Sequence, residues 1–341
     1  DLARAEQATA KENLGHYSAE NIGGFKVVKK DRDTDEISKF DLLTKQKQAL
    51  AWMDAKGNNG VCALDTGVGK SLTAIATMQK PRRAGLADPG ATYRTPTGKT
   101  IKTNGRFLLV TPGDLKGNFP KEIRNFVSEP GDLLGMLDVV SYHEFRSAAK
   151  GKLPGSIKNK GFWKQRAQLP PSRLAATGKV WDIQLYAALF FDEAQKLTLT
   201  KNGNVTGLQK PTLAFQAANV FHPRKVFLTA SPMEKEPEQA YLLASMSNNE
   251  PLAGGSPEAV HNRMKMKRFM NRFTERVGGR IVGVKQDPAL KSELNQWVKQ
   301  NLFFADKRNV EEFTLPEKKS ETTTVTMSPQ VEEAYRAATK G

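Results

Sequence analysis

Six consecutive residues, Thr66-Gly67-Val68-Gly69-Lys70-Ser71, have the types and spacing to hold a phosphate. The glycines let the chain turn so that successive backbone N–H groups converge on an anion; the lysine adds a point charge and the serine a hard oxygen for Mg²⁺. Farther along, Asp192-Glu193 sets two carboxylates side by side after an apolar run. One carboxylate can hold Mg²⁺, directly or through water, and the other can orient or polarise a water that attacks a γ-phosphorus. These residue types imply ATP and Mg²⁺ as cofactors. Lys70, Asp192 and Glu193 are then the candidate catalytic residues, and Ser71 and Asp192 the candidate metal ligands. The loop fits the G-x-x-x-x-G-K-[ST] pattern except at its first position, where the chain has Leu64.

Elements must bring these parts together. Residues 61–64 are apolar and read as a buried strand, while Leu72, Ile75, Ala76 and Met78 share one face of a helix that opens at Lys70. Apolar runs recur at 107–110, 137–140, 185–191 and 226–228, each followed by a polar turn. In a parallel sheet all those carboxyl ends lie on one edge, where open α/β sheets bind ligands. The expected fold is therefore α/β: a P-loop domain with a mostly parallel central sheet flanked by helices.

The rest of the chain reads more plainly. Residues 1–40 form a polar extension, with a short helix at 2–14 and a hairpin pairing 25–30 with 36–40. Residues 42–53 are an apolar-periodic helix leading into the first strand, and 82–106 an exposed loop or hairpin insertion. Residues 145–181 carry nine Lys or Arg and no acidic residue, interleaved with Phe162 and Trp163. Such a tract is either a solvated insertion or a surface for a phosphate backbone. Beyond Pro232 the strand pattern stops. Helices are expected near 242–246, at 261–276 with Met264, Phe269 and Phe273 on a shared face, and at 290–304. An extended segment from 315 and a short helix at 330–338 follow. The net charge of +16 favours an acidic partner, nucleic acid above all. The sole cysteine, Cys62, reads as a core residue and excludes an intrachain disulfide. No apolar run approaches a membrane span, so no membrane partner is expected. The expected location is intracellular: cytoplasmic in a prokaryote or virus, nuclear in a eukaryote.

With these residues in view, the chain resembles the first RecA-like lobe of superfamily-two helicases, most specifically the Swi/Snf-type DNA translocases. LLTKQKQALAWM resembles the family's Q motif, with Gln46 at its adenine-reading glutamine, and LDTGVGKS is similar to motif I. LLVTPGDLKGNFPKEI resembles motif Ia, VVSYHEF motif Ib, FFDEAQKL motif II and VFLTASPM motif III, all in the family's order. The resemblance covers residues 42–335. It implies ATP hydrolysis coupled to movement on double-stranded DNA, with Pro112, Lys116, Ser141 and Tyr142 near the DNA backbone. It also implies that Gln195, Thr229 and Ser231 couple the nucleotide site to DNA and to a second lobe.

The sequence departs from the family at Lys45, where an aromatic residue is common, and at Gln195, which replaces a histidine. It departs again at Ala230-Ser231 in motif III and at Ala305-Asp306, where two arginines are typical. The implied organisation is an extension at 1–40, a RecA-like ATP-binding lobe at 41–240 with insertions near 82–106 and 146–181, and a helical protrusion at 241–341. That last part would run into a second RecA-like lobe, in the same or another chain. The alternative is an ATP-binding but non-hydrolysing DNA-binding or structural subunit; an RNA helicase is a third reading.

Overall fold

The computed structural model describes residues 14–26, 28–30, 37–149, 163–165, 179–181, 183–199, 212–233, 236–252, 255–277 and 280–305. Six strands form the central sheet: β1 (Gly60–Leu64), β2 (Phe107–Thr111), β3 (Leu137–Ser141), β4 (Ala188–Asp192), β5 (Lys225–Thr229) and β6 (Phe303–Ala305). Their spatial order is β6-β1-β5-β4-β2-β3, and every pairing is parallel. The five carboxyl ends inferred from the sequence therefore do share one edge.

Strands read as continuous apolar runs because helices cover both faces of the sheet. Successive side chains alternate, so Val61, Leu108, Leu189, Phe191 and Phe227 enter one core while Cys62, Phe107, Leu109, Phe190 and Leu228 enter the other. Thr44–Ala55, Lys70–Arg83 and Asn118–Phe126 supply the second core; Tyr142–Ala149, Leu213–Ala218, Pro237–Ser247 and Pro257–Phe273 supply the first. Phe191 and Phe227 stack with centroids 5.0 Å apart beneath the carboxyl edge, which fixes β4 against β5 just where the acidic pair emerges.

The expected hairpin near the N-terminus forms between Val28–Lys30 and Ile37–Lys39. The insertion at 82–106 contains a second hairpin, Thr92–Arg94 with Thr100–Lys102, and it is not wholly exposed. Tyr93 and Ile101 are buried, and the Tyr93 hydroxyl donates to the Gln184 carbonyl at 2.7 Å.

The C-terminal part differs most from expectation. The helix expected at 261–276 runs instead over Pro257–Phe273, and Thr274–Val277 pairs with Arg280–Val284. Its buried face is Asn262, Met266, Phe269, Met270 and Phe273, whereas Met264 is 52 % exposed. Met264 lies five residues from Phe269, about 140° around the helix, so it cannot share that face. The helix expected at 290–304 ends at Asn301, and Phe303–Ala305 crosses back into the sheet beside β1. A three-residue edge strand offers no period to detect. The central sheet thus extends past the boundary expected at residue 240. The expected helices at 2–14 (but for Leu14) and 330–338, the extended segment from 315 and most of the basic tract lie outside the described residues. Within that tract, Trp163–Gln165 pairs antiparallel with Lys179–Trp181.

Candidate active site

The phosphate-sized loop leaves β1 at Asp65 and enters the Lys70–Arg83 helix. Gly67 and Gly69 have φ of +90° and +87°, which an L side chain resists, so both glycines are required by the turn. At Gly69 a Cβ would also collide with the Gln46 amide. Lys70 and Ser71 open the helix, and N–H groups of a first helical turn have no intrahelical acceptor. Val68 is fully buried, so only its backbone belongs to the loop surface, while Thr66 and Gly67 are exposed.

Gln46 sits directly behind this loop. Its Nε2 donates to the carbonyls of Val68 and Gly69 at 2.9 and 3.3 Å, and its Oε1 accepts from the Leu43 N–H at 2.9 Å. At 1 % exposure the side chain is committed to shaping the loop. The loop entrance is pinned from the other side, where the Asp65 N–H donates to the Ala305 carbonyl of β6 at 3.0 Å.

Asp192 ends β4 and Glu193 begins the following turn with φ +49°, an uncommon conformation for a non-glycine residue. Lys70 Nζ lies 3.1 Å from Glu193 Oε1, so the loop and the acidic pair form one site. Asp192 is 6 % exposed, and burial lifts its pKa above the ordinary carboxylate range. The hydroxyl of Thr111, donating to Asp192 Oδ2 at 2.9 Å, opposes that rise, while the Glu193 charge adds to it. A carboxylate held in this state gains from a cation, and the hard oxygens of Asp192 and Ser71 suit Mg²⁺.

Gln195, Thr229 and Ser231 are joined to this site by hydrogen bonds. Gln195 Nε2 donates to Glu193 Oε2 at 2.9 Å, its Oε1 accepts from the Thr229 hydroxyl at 2.6 Å, and Thr229 Oγ1 accepts from the Ser231 N–H at 3.1 Å. The ends of β4 and β5 are thereby tied side chain to side chain.

The residues expected at a DNA backbone are placed differently. Pro112, Ser141 and Tyr142 are buried, and Lys116 is paired with Glu144 at 2.7 Å. Ser141 and Glu144 form a capping box: the Glu144 carboxylate accepts the Ser141 N–H at 2.6 Å, and the Ser141 hydroxyl accepts the Glu144 N–H at 3.1 Å. Partial burial works to raise the Glu144 pKa, yet the bonds from Lys116 and Ser141 outweigh it and hold the carboxyl at about 2. Tyr142 turns inward, its hydroxyl donating to the carbonyls of Asp192 and Glu193 at 2.7 and 3.3 Å. Burial first, then the two carboxylates, push its pKa well up, so the hydroxyl stays a donor. In this structure Ser141 and Tyr142 support the edge from inside and are not exposed contacts.

Sequence reasoning missed Thr111, Asp65 and Ala305. Thr111 was findable, since a hydroxyl at the carboxyl end of a strand beside β4 is within reach of Asp192. The Asp65–Ala305 bond depends on β6, which left no sequence signal.

No protein-family model matches the sequence, and no curated protein matches it. Among solved structures the chain is similar to the Sulfolobus solfataricus SWI2/SNF2 ATPase core in complex with dsDNA, at 16 % identity and a TM-score of 0.48, over 88 % of this chain and 52 % of that one. It is also similar to the Sulfolobus solfataricus SWI2/SNF2 ATPase core domain, at 17 % identity and a TM-score of 0.45, over 93 % of this chain and 53 % of that one. The chain thus spans about half the length of these two structures.

Proposed function

We propose that this chain is the N-terminal ATPase motor lobe of a Swi/Snf-like translocase, working inside the cell and coupling ATP hydrolysis to movement on double-stranded DNA. The observation that carries the reading is the Lys70–Glu193 pair, which brings a phosphate-binding loop and an acidic turn to the same sheet edge. Ser71 and Asp192 would hold Mg²⁺, and the backbone from Thr66 to Ser71 would cradle the phosphates. Bound Mg²⁺ neutralises charge on the β- and γ-phosphates. Lys70 exchanges its Glu193 partner for the phosphates. Glu193, so released, orients water for in-line attack and accepts its proton. Gln195, which touches both Glu193 and Thr229, senses which partner Glu193 has and passes that difference to the end of β5.

Nucleic acid as partner rests on the +16 charge and the acid-free basic tract, and the double-stranded DNA form on the resemblance of the motifs to those of Swi/Snf-type translocases. A second RecA-like lobe, in this or another chain, would close the other side of the cleft. The test is ATP turnover by the full-length protein with duplex DNA, single-stranded DNA and RNA. Stimulation greatest with duplex, and weakening steeply with salt, supports the reading. Salt-sensitive DNA binding without any turnover would favour a non-hydrolysing DNA-binding subunit, and stimulation by RNA alone an RNA helicase.

A further inference from the structure

The acidic turn is held from outside its own strand by two hydroxyl groups. Thr111, at the end of the adjacent β2, donates to the Asp192 carboxylate, and Tyr142, just past the end of β3, reaches across β2 to the Asp192 and Glu193 carbonyls. Between those two carbonyls lies the left-handed backbone of Glu193, a conformation that persists only where surrounding structure enforces it. The Tyr142 ring is anchored in the core with Val140, Phe145 and Phe191. Its backbone is fixed in turn by the Ser141–Glu144 capping box, which Lys116 also grips.

We propose that Tyr142 is a positioning residue: its hydroxyl holds the Asp192-Glu193 turn so that both carboxylates face Lys70. The proposal rests on the ATPase reading and adds to it a residue that touches neither nucleotide nor metal. It also gives the Lys116–Glu144 pair a path to the acidic turn, through the first turn of the helix that Tyr142 opens.

The experiment compares wild-type and Tyr142→Phe full-length protein for kcat, for KM toward ATP and for thermal unfolding. Phenylalanine keeps the ring packing and deletes only the donor. The expected result is a kcat at least tenfold lower with KM within about twofold and a Tm lower by no more than the few degrees that one lost buried hydrogen bond costs. An unchanged kcat, or a lowered Tm with kcat preserved, overturns the proposal and leaves Tyr142 a packing residue. Should Tyr142→Phe fail to fold, 3-fluorotyrosine at position 142 alters donor strength while keeping ring and hydroxyl. A shifted kcat at constant Tm then supports the proposal, and an unshifted kcat overturns it. Absence of turnover in the wild type would instead remove the ATPase reading itself.

Discussion

Lys70 Nζ and Glu193 Oε1 stand 3.1 Å apart, with side chains 14 % and 22 % exposed. Both side chains are largely shielded from solvent, and the cost of desolvating two charges offsets their attraction, so the pair is weak evidence for stability. Its weight lies in placement, because it joins the end of β1 to the end of β4 across the intervening β5.

The two members of the pair are expected to fail differently. Lys70→Ala removes the charge that meets the phosphates, so nucleotide binding and turnover fall together. Glu193→Gln keeps the shape and the cradle, so nucleotide binding persists while turnover drops by about 10² to 10⁴-fold. Fluorescent-nucleotide titration beside steady-state hydrolysis measures both; turnover retained in either variant removes the catalytic assignment.

Gln46 is expected to matter through the loop it shapes. Gln46→Leu leaves the Val68 and Gly69 carbonyls and the Leu43 N–H without their buried partner, a loss of about 2 to 3 kcal/mol. Urea unfolding should show that loss, and nucleotide affinity should fall with it. A variant as stable as wild type would show that water or a shifted loop replaces the amide.

The sheet and its shared carboxyl edge were legible because strands buried on both faces leave unbroken apolar runs and each is punctuated by a polar turn. That Lys70 and Glu193 meet at this edge was legible because a loop and an acidic pair of these residue types have a chemical reason to converge. Tyr142 was misplaced for a physical reason: a tyrosine past a strand end is amphipathic, and sequence does not say whether its hydroxyl points to solvent or to a backbone carbonyl. Strand β6 was illegible because three residues at an edge, one of them the 51 % exposed Phe304, carry neither alternation nor length.

Cys62 offers a built-in reporter of the β1 strand. It is fully buried, and desolvation pushes its thiol up to about 12, so the native protein should resist thiol reagents at neutral pH. Labelling then requires opening of the strand that leads into the 65–71 loop, and, if that loop holds nucleotide as proposed, Mg²⁺ with ATP should slow it further by stabilising the closed form. Fast labelling of the native protein would mean that β1 opens readily. A rate indifferent to nucleotide would mean that nucleotide does not bind at this loop.

At the other end of the sheet, Lys225 is fully buried at the start of β5 with its ammonium group donating to the Val220 carbonyl at 2.8 Å. Desolvation brings its pKa down to about 7 from 10.5. Between those values the unfolded chain binds the extra proton, so stability rises with pH from 7 toward 10.5 and is flat below 7 as far as Lys225 is concerned. Burial likewise pulls His222 down to about 3 from 6.5, adding a separate rise between pH 3 and 6.5. Lys225→Met should therefore raise stability at neutral pH, less about 1 kcal/mol for the Val220 carbonyl left without a donor, and erase the upper rise while keeping the lower one. Urea unfolding across pH 3 to 10 measures this directly; a Lys225→Met variant with the wild-type slope above pH 7 would show that the lysine stays charged where it lies.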